Sequence, residues 1–233
     1  MAVTSTSRRP AVFLDKDGTL LEDVPYNVDP DEMRLTAGAG PALRRLADAG
    51  FELIVVTNQS GVARGLFPPT ALRTVEWRLE ELLAPFDVKL AGFHACMHHP
   101  DGIVATFARD CSCRKPKPGL LQAAASQHGI DLTSSWMVGD ILNDVEAGCR
   151  AGCRTVLLDS DHKRGPTSGG RDIGGPRIVG PHIGPQLGGE TLWIGGPCRT
   201  PDLVAPHLGE AAAAILIGST ERREARCDTI YSN

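Results

Sequence analysis

The stretch Ala11-Val12-Phe13-Leu14-Asp15-Lys16-Asp17-Gly18-Thr19 decides the reading of this chain. Four apolar residues run unbroken into an acid, and Gly18 then permits a turn. A short apolar run of this kind reads as a strand buried on both faces, as in a parallel sheet. Working outward, the pattern recurs at Glu52–Thr57, Ala91–Cys96, Trp136–Asp140 and Thr155–Asp159. Between these lie segments with helical spacing of apolar residues, at Gly38–Gly50, Thr70–Leu83, Pro118–His128 and Val145–Ala151, with a final helix over Leu203–Ile217. Strands that alternate with helices predict an α/β fold, a doubly wound, Rossmann-like parallel sheet. In such sheets the ligand site lies beyond the carboxyl ends of the strands. Asp15, Thr57 and Asp140 each stand at such an end.

Composition narrows the function classes. The chain has 233 residues and a formal net charge of −4. That balance argues against a nucleic-acid or anionic-membrane partner. The longest apolar run, Ala211 to Ile217, is far below the ~18 residues of a membrane span. Met1 to Pro10 holds two arginines and no apolar stretch, which is not the pattern of a secretory signal. The seven cysteines therefore belong to a reducing, cytoplasmic setting, where clustered cysteines read as metal ligands. Cys149 and Cys153, four apart on a helix, read as packing residues, and Cys198 and Cys227 have no visible partner.

Four motifs carry chemistry. Asp15 and Asp17 flank the turn after the first strand, a pair that suits a hard cation such as Mg²⁺, with one acid free to attack an electrophile and the other to move a proton. Thr57-Asn58-Gln59-Ser60-Gly61 offers a hydroxyl, amides and loop N–H groups to phosphate oxygens. Lys115, ahead of Pro116 and leading into a helix, presents a point charge that suits a phosphoryl group. Asp140 is placed to complete the Mg²⁺ shell with Asp15 and the Asp17 carbonyl, and Asp144, one helical turn on, to orient Lys115 or a metal-bound water.

In this order and at these strand ends, DKDGT, Thr57, Lys115 and GDxxxD resemble the four motifs of the haloacid dehalogenase (HAD) superfamily of phosphatases, over about Val12 to Asp159. The resemblance implies that Asp15 attacks phosphorus to give an aspartyl-phosphate. Asp17 then serves as acid and afterwards as base, and Mg²⁺, Thr57 and Lys115 stabilise the transition state.

A fifth motif is independent of these. Cys96-Met97-His98 is followed, twelve residues on, by Cys111-Ser112-Cys113. Three thiolates and one imidazole are a four-coordinate zinc set with no open position, so the zinc would be structural and would pin a long loop. Single-residue spacers point both ligands of each pair to one side of an extended chain. His94 and His99 are rival ligands, ranked below His98 because the Cys-x-His and Cys-x-Cys pairs mirror each other. Zinc at Cys113 would also fix Arg114 and Lys115.

The His98-to-Pro116 loop and Thr57–Gly65 closely resemble the D-glycero-D-manno-heptose 1,7-bisphosphate 7-phosphatases, essentially capless members of the superfamily. That resemblance implies a sugar bisphosphate substrate met by Thr57, Asn58, Gln59, Ser60, Arg114 and Lys115. The histidinol-phosphatase branch shares the zinc loop but typically has Asp where this chain has Ser60. A non-catalytic zinc-binding module on this fold is the other alternative. One departure is Ile141, where the heptose enzymes usually carry Lys.

Glycine and proline concentrate between Lys163 and Thr200, with 11 Gly and 5 Pro in 38 residues. The expected organisation is one HAD-like domain over 11–218, a flexible Gly/Pro-rich insertion at 163–187, flexible termini at 1–10 and 219–233, and a monomer. So much Gly and Pro with so little apolar surface does not offset the entropy of ordering.

Overall fold

A computed structural model describes residues 8–159, 177–178 and 198–230 of the chain. Its strands are β1 (Ala11–Leu14), β2 (Glu52–Asn58), β3 (Gly92–Cys96), β4 (Trp136–Gly139), β5 (Arg154–Leu158), β6 (Arg177–Ile178) and β7 (Leu203–Ala205). They form one sheet in the order β3-β2-β1-β4-β5-β7-β6, parallel except for the antiparallel β6 at the edge. The helices are α1 (Ala39–Asp48), α2 (Ala71–Leu83), α3 (Gly119–His128), α4 (Leu142–Ala151) and α5 (Leu208–Ile230).

The two-residue period of β1 divides the core. Val12 and Leu14 face a cluster shared with Leu43 and Leu46 of α1 and Ala212 and Ile215 of α5. Ala11 and Phe13 face the opposite cluster, with Leu121 and Ala124 of α3 and Ala147 of α4. Both faces of β1 are therefore covered, which is why its sequence is apolar without alternation. Strand order reverses between β1 and β4, where Leu14 pairs with Val138 and the Asp15 N–H donates to the Val138 carbonyl at 3.0 Å. A crevice opens at this switch point beyond the carboxyl ends of the two strands.

Three sequence expectations need correction. The final helix starts at Leu208, not Leu203, because Leu203–Ala205 pairs in parallel with Val156–Leu158 as β7. The sequence signal is Pro206, which disfavours helical backbone at the residue before it. The helix also runs past Ile217 to Ile230. Second, residues 9 and 10 belong to the fold. Arg9 bridges Ile130, ion-pairs with Glu52, and lies next to Pro10, whose carbonyl accepts the Glu52 N–H. Third, Cys149 is not a mere packing residue and Cys198 has a partner, since the two form a disulfide with Cα atoms 5.3 Å apart. Cys153 does pack in the core, and burial pushes its thiol up to about 12. Of the 163–187 insertion, all but Arg177–Ile178, which pairs with β7, lies outside the described residues.

Candidate active site and metal centre

The acids at the switch point come together because two glycines let them. A Cβ on Gly18, whose φ is +74°, would lie 2.3 Å from Asp140 Oδ2. A Cβ on Gly139 would lie 2.3 Å from both the Cβ and Oδ2 of Asp144. Side chains at 18 and 139 would therefore push Asp140 and Asp144 out of the crevice. As it stands, carboxylate oxygens of Asp15, Asp140 and Asp144 lie within 4.8 Å of one another.

Lys115 enters this cluster from the loop that follows β3. Its Nζ lies 2.7 Å from Asp15 Oδ1 and 2.7 Å from Asp144 Oδ1, and donates to the Val56 carbonyl at 2.8 Å. Burial works against its charge, but the carboxylates of Asp144 and Asp15 outweigh burial and raise its pKa. Burial likewise pushes the Asp144 carboxyl up, against the pull of the Lys115 ammonium. Asp144 also accepts the Ile141 N–H at 3.3 Å at the start of α4. It is thus a support for Lys115 and the helix start, as one of the two sequence readings had it.

Asp17 points elsewhere. Lys16 Nζ donates to its Oδ1 at 2.6 Å, and Gln59 Nε2 to its Oδ2 at 3.1 Å. Gln59 Nε2 also donates to Thr57 Oγ1 at 3.0 Å. Burial raises the Asp17 carboxyl above its usual range, with the Lys16 charge acting the other way. Asp15, Asp17, Thr57 and Lys115 are thus brought into one cluster. Gln59 sits inside it, buried between Asp17 and Thr57. Sequence reasoning missed Lys16, which is 1% exposed. A lysine set between two acids at a buried strand end was the available signal, because buried charges need counter-charges.

The residues fit Mg²⁺. Four carboxylates (Asp15, Asp17, Asp140, Asp144) stand around two ammonium groups (Lys16, Lys115), which leaves two negative charges for a divalent cation. The oxygen donors are of the hard type that Mg²⁺ takes. With the Asp17 carboxylate turned to Lys16 and Gln59, its carbonyl remains as the ligand it would offer.

The second cluster lies beyond β3. Sγ of Cys96 is 3.6 Å from that of Cys111 and 3.4 Å from that of Cys113, and Cys111 and Cys113 are 3.3 Å apart. His98 Nδ1 is 3.8 Å from Cys96 Sγ and 3.4 Å from Cys113 Sγ. Tetrahedral zinc with ~2.3 Å bonds to sulfur and ~2.0 Å bonds to nitrogen separates its ligands by about 3.5–3.8 Å. The donor set and spacing therefore fit zinc. Burial, then the Arg109 charge, lowers the His98 pKa, which favours the neutral imidazole a metal ligand needs. The rivals are engaged elsewhere: His94 faces His128 at 3.1 Å, and His99 faces Arg64 at 3.2 Å and accepts the Asp101 N–H.

Arg114 reaches the His98 carbonyl at 3.5 Å. Ser60 is half-buried at the start of the turn that follows β2, its carbonyl accepting the Arg64 N–H. The Asn58 amide is turned to the backbone of Lys115. Ile141 is 45% exposed directly after Asp140.

Comparison with known proteins bears on this geometry. A HAD-hydrolase-like family model matches residues 112–181. The D-glycero-beta-D-manno-heptose-1,7-bisphosphate 7-phosphatase of Yersinia pestis is 44% identical over 154 residues, 66% of this chain and 81% of that protein. The chain belongs to this family of HAD-like hydrolases. The Escherichia coli K12 member of the heptose-1,7-bisphosphate 7-phosphatase family is also 44% identical, over 64% of this chain and 78% of that one. Among solved structures, the D,D-heptose 1,7-bisphosphate phosphatase of B. bronchiseptica, complexed with magnesium and phosphate, matches with TM-score 0.67 and 29% identity. That match covers 90% of this chain and 99% of that one. A putative HAD-like phosphatase from Mesorhizobium loti matches with TM-score 0.63 and 41% identity over 66% of this chain and 74% of that one. Among the described residues no helix is long and apolar enough to cross a membrane.

Proposed function

We propose that this chain is a Mg²⁺-dependent phosphomonoesterase that removes the 7-phosphate of D-glycero-D-manno-heptose 1,7-bisphosphate. The observation that carries the reading is Lys115 Nζ held 2.7 Å from Asp15, at the point where a phosphoryl group would meet the nucleophile. Asp15 attacks phosphorus in line, forming an O–P bond as the sugar C7 oxygen leaves. Asp17 gives that oxygen its proton, then takes one from the water that hydrolyses the aspartyl-phosphate. Gln59 and Lys16 hold Asp17 in reach. Lys115 and the Thr57 hydroxyl bind the phosphoryl oxygens, where the charge lies in the transition state. Asp15, Asp140 and the Asp17 carbonyl hold Mg²⁺, which when bound neutralises those oxygens and orients them toward Asp15.

Cys96, His98, Cys111 and Cys113 hold a structural zinc that pins the loop carrying Arg114 and Lys115. Arg114, with Ser60 and the rest of the turn after β2, meets the sugar and its second phosphate. Arg64 and Arg114, both close enough to His99 to lower its pKa, add positive charge there. The reading includes a single catalytic domain over 11–218, with the 163–187 segment as an insertion, acting as a cytoplasmic monomer without a nucleic-acid partner.

The test is phosphate release with Mg²⁺ from heptose 1,7-bisphosphate and from histidinol phosphate. The bisphosphate is expected to turn over with the higher kcat/KM. A preference for histidinol phosphate, or no release from either, overturns the assignment.

A further inference from the structure

Lys115 comes from a loop, yet each of its polar atoms has a fixed partner. Its Nζ is held by Asp15, Asp144 and the Val56 carbonyl. Its backbone is held by Asn58 alone: Asn58 Nδ2 donates to the Lys115 carbonyl at 3.1 Å, and the Lys115 N–H donates to Asn58 Oδ1 at 3.1 Å. Val56 and Asn58 lie two apart on β2. One strand therefore grips both ends of the lysine, its ammonium through a main-chain carbonyl and its backbone through a side-chain amide that imitates a strand partner. Lys115 itself is 2% exposed. A primary amide is the side chain that presents one donor and one acceptor to a single peptide backbone.

We infer that Asn58 is a positioning residue for Lys115 and not a contact to the substrate. Both ends of its amide are engaged, so its part in the reaction runs through the lysine. Main-chain bonds of this loop to β2 would otherwise leave Lys115 free to drift along the crevice. A displacement near 1 Å of a transition-state group costs up to about 100-fold in rate. The inference rests on reading Lys115 as the phosphoryl-binding cation.

The experiment compares Asn58→Leu, Lys115→Met and the double variant on heptose 1,7-bisphosphate and on p-nitrophenyl phosphate. Asn58→Leu is expected to lower kcat about 10- to 100-fold on both substrates with KM within about twofold, zinc content unchanged, and weaker inhibition by orthovanadate. In the Lys115→Met background the same change is expected to add almost nothing, because the group it positions is gone. Should the leucine variant fold poorly, Asn58→Asp keeps the acceptor for the Lys115 N–H and is expected to give the same split at smaller size. A rise in KM with kcat unchanged would make Asn58 a substrate contact and overturn the inference. So would additive losses in the double variant, or wild-type kinetics in Asn58→Leu beside an inactive Lys115→Met. An active Lys115→Met overturns instead the reading of the lysine on which this one rests.

Discussion

The two ion-binding clusters of this chain are built in opposite ways. In the carboxylate cluster, Asp15 and Asp140 follow neighbouring strands, β1 and β4, and Asp144 stands in the first turn of α4. Two buried lysines already lie against these acids and Asp17. The sheet register places its donors, and its charge is largely balanced within the protein. In the thiolate cluster only Cys96 belongs to a strand; His98, Cys111 and Cys113 come from the connection that leads from β3 to α3. Burial raises the Cys96 and Cys113 thiols, so ionised sulfur there depends on the cation itself. The contrast teaches that the fold alone arranges the first cluster, while the second arranges a loop only when metal is present.

The sharpest test of the first half of the comparison is Asp15→Asn. It is expected to lower kcat at least about 1,000-fold, since the nucleophile is lost, with secondary structure by circular dichroism unchanged. Full activity in this variant would remove Asp15 from the mechanism. Next in size, Lys115→Met takes one of two cations from among four carboxylates. Removing one partner of a buried ion pair typically costs about 3–5 kcal/mol, which denaturant unfolding should register as a lower midpoint at constant slope. A smaller loss would mean that the acids share protons or water instead of needing the lysine.

The comparison itself stands or falls on metal removal. Stripping Mg²⁺ should abolish turnover reversibly with little change in Tm. Loss of zinc, by chelation or Cys111→Ser, should lower Tm by several degrees and reduce kcat about 10-fold or more through the loop carrying Arg114 and Lys115. Equal Tm shifts for the two metals would break the distinction. The smallest effects concern neither cluster's ligands. Deleting 163–187 should leave kcat within about twofold and the fold intact, because loop length has a weak energetic effect. Loss of soluble, active protein would show that the segment is part of the domain.

Much of this was legible in the sequence. The pairs Cys96/His98 and Cys111/Cys113 could be read because i,i+2 spacing on extended chain fixes a shared direction. Asp15, Thr57 and Asp140 could be read because each ends an apolar run. The choice of His98 over His94 and His99 came from symmetry of the pairs, and the structure supplies the physical reason: His94 is taken up by His128 and His99 by Arg64. Leu203–Ala205 was misread as helix because three residues hold no periodicity, although Pro206 carried a signal. Cys198 lacked a visible partner because Cys149 lies 49 residues away along the chain.

What the sequence by itself determined is the succession of buried strands, the acid or hydroxyl at the end of each, and the local ligand pairs. These depend on the period of the backbone and on burial, which neighbours within a few residues reveal. What only the tertiary structure decided is how residues from different strand ends share their bonds. Lys16 answers Asp17, Gln59 joins Asp17 to Thr57, and Asn58 is turned to a backbone 57 residues away. Such pairings are set by strand order and crossover, which bring distant segments to the same crevice. The same amide in the sequence could serve a sugar or a lysine until that crevice closes around it.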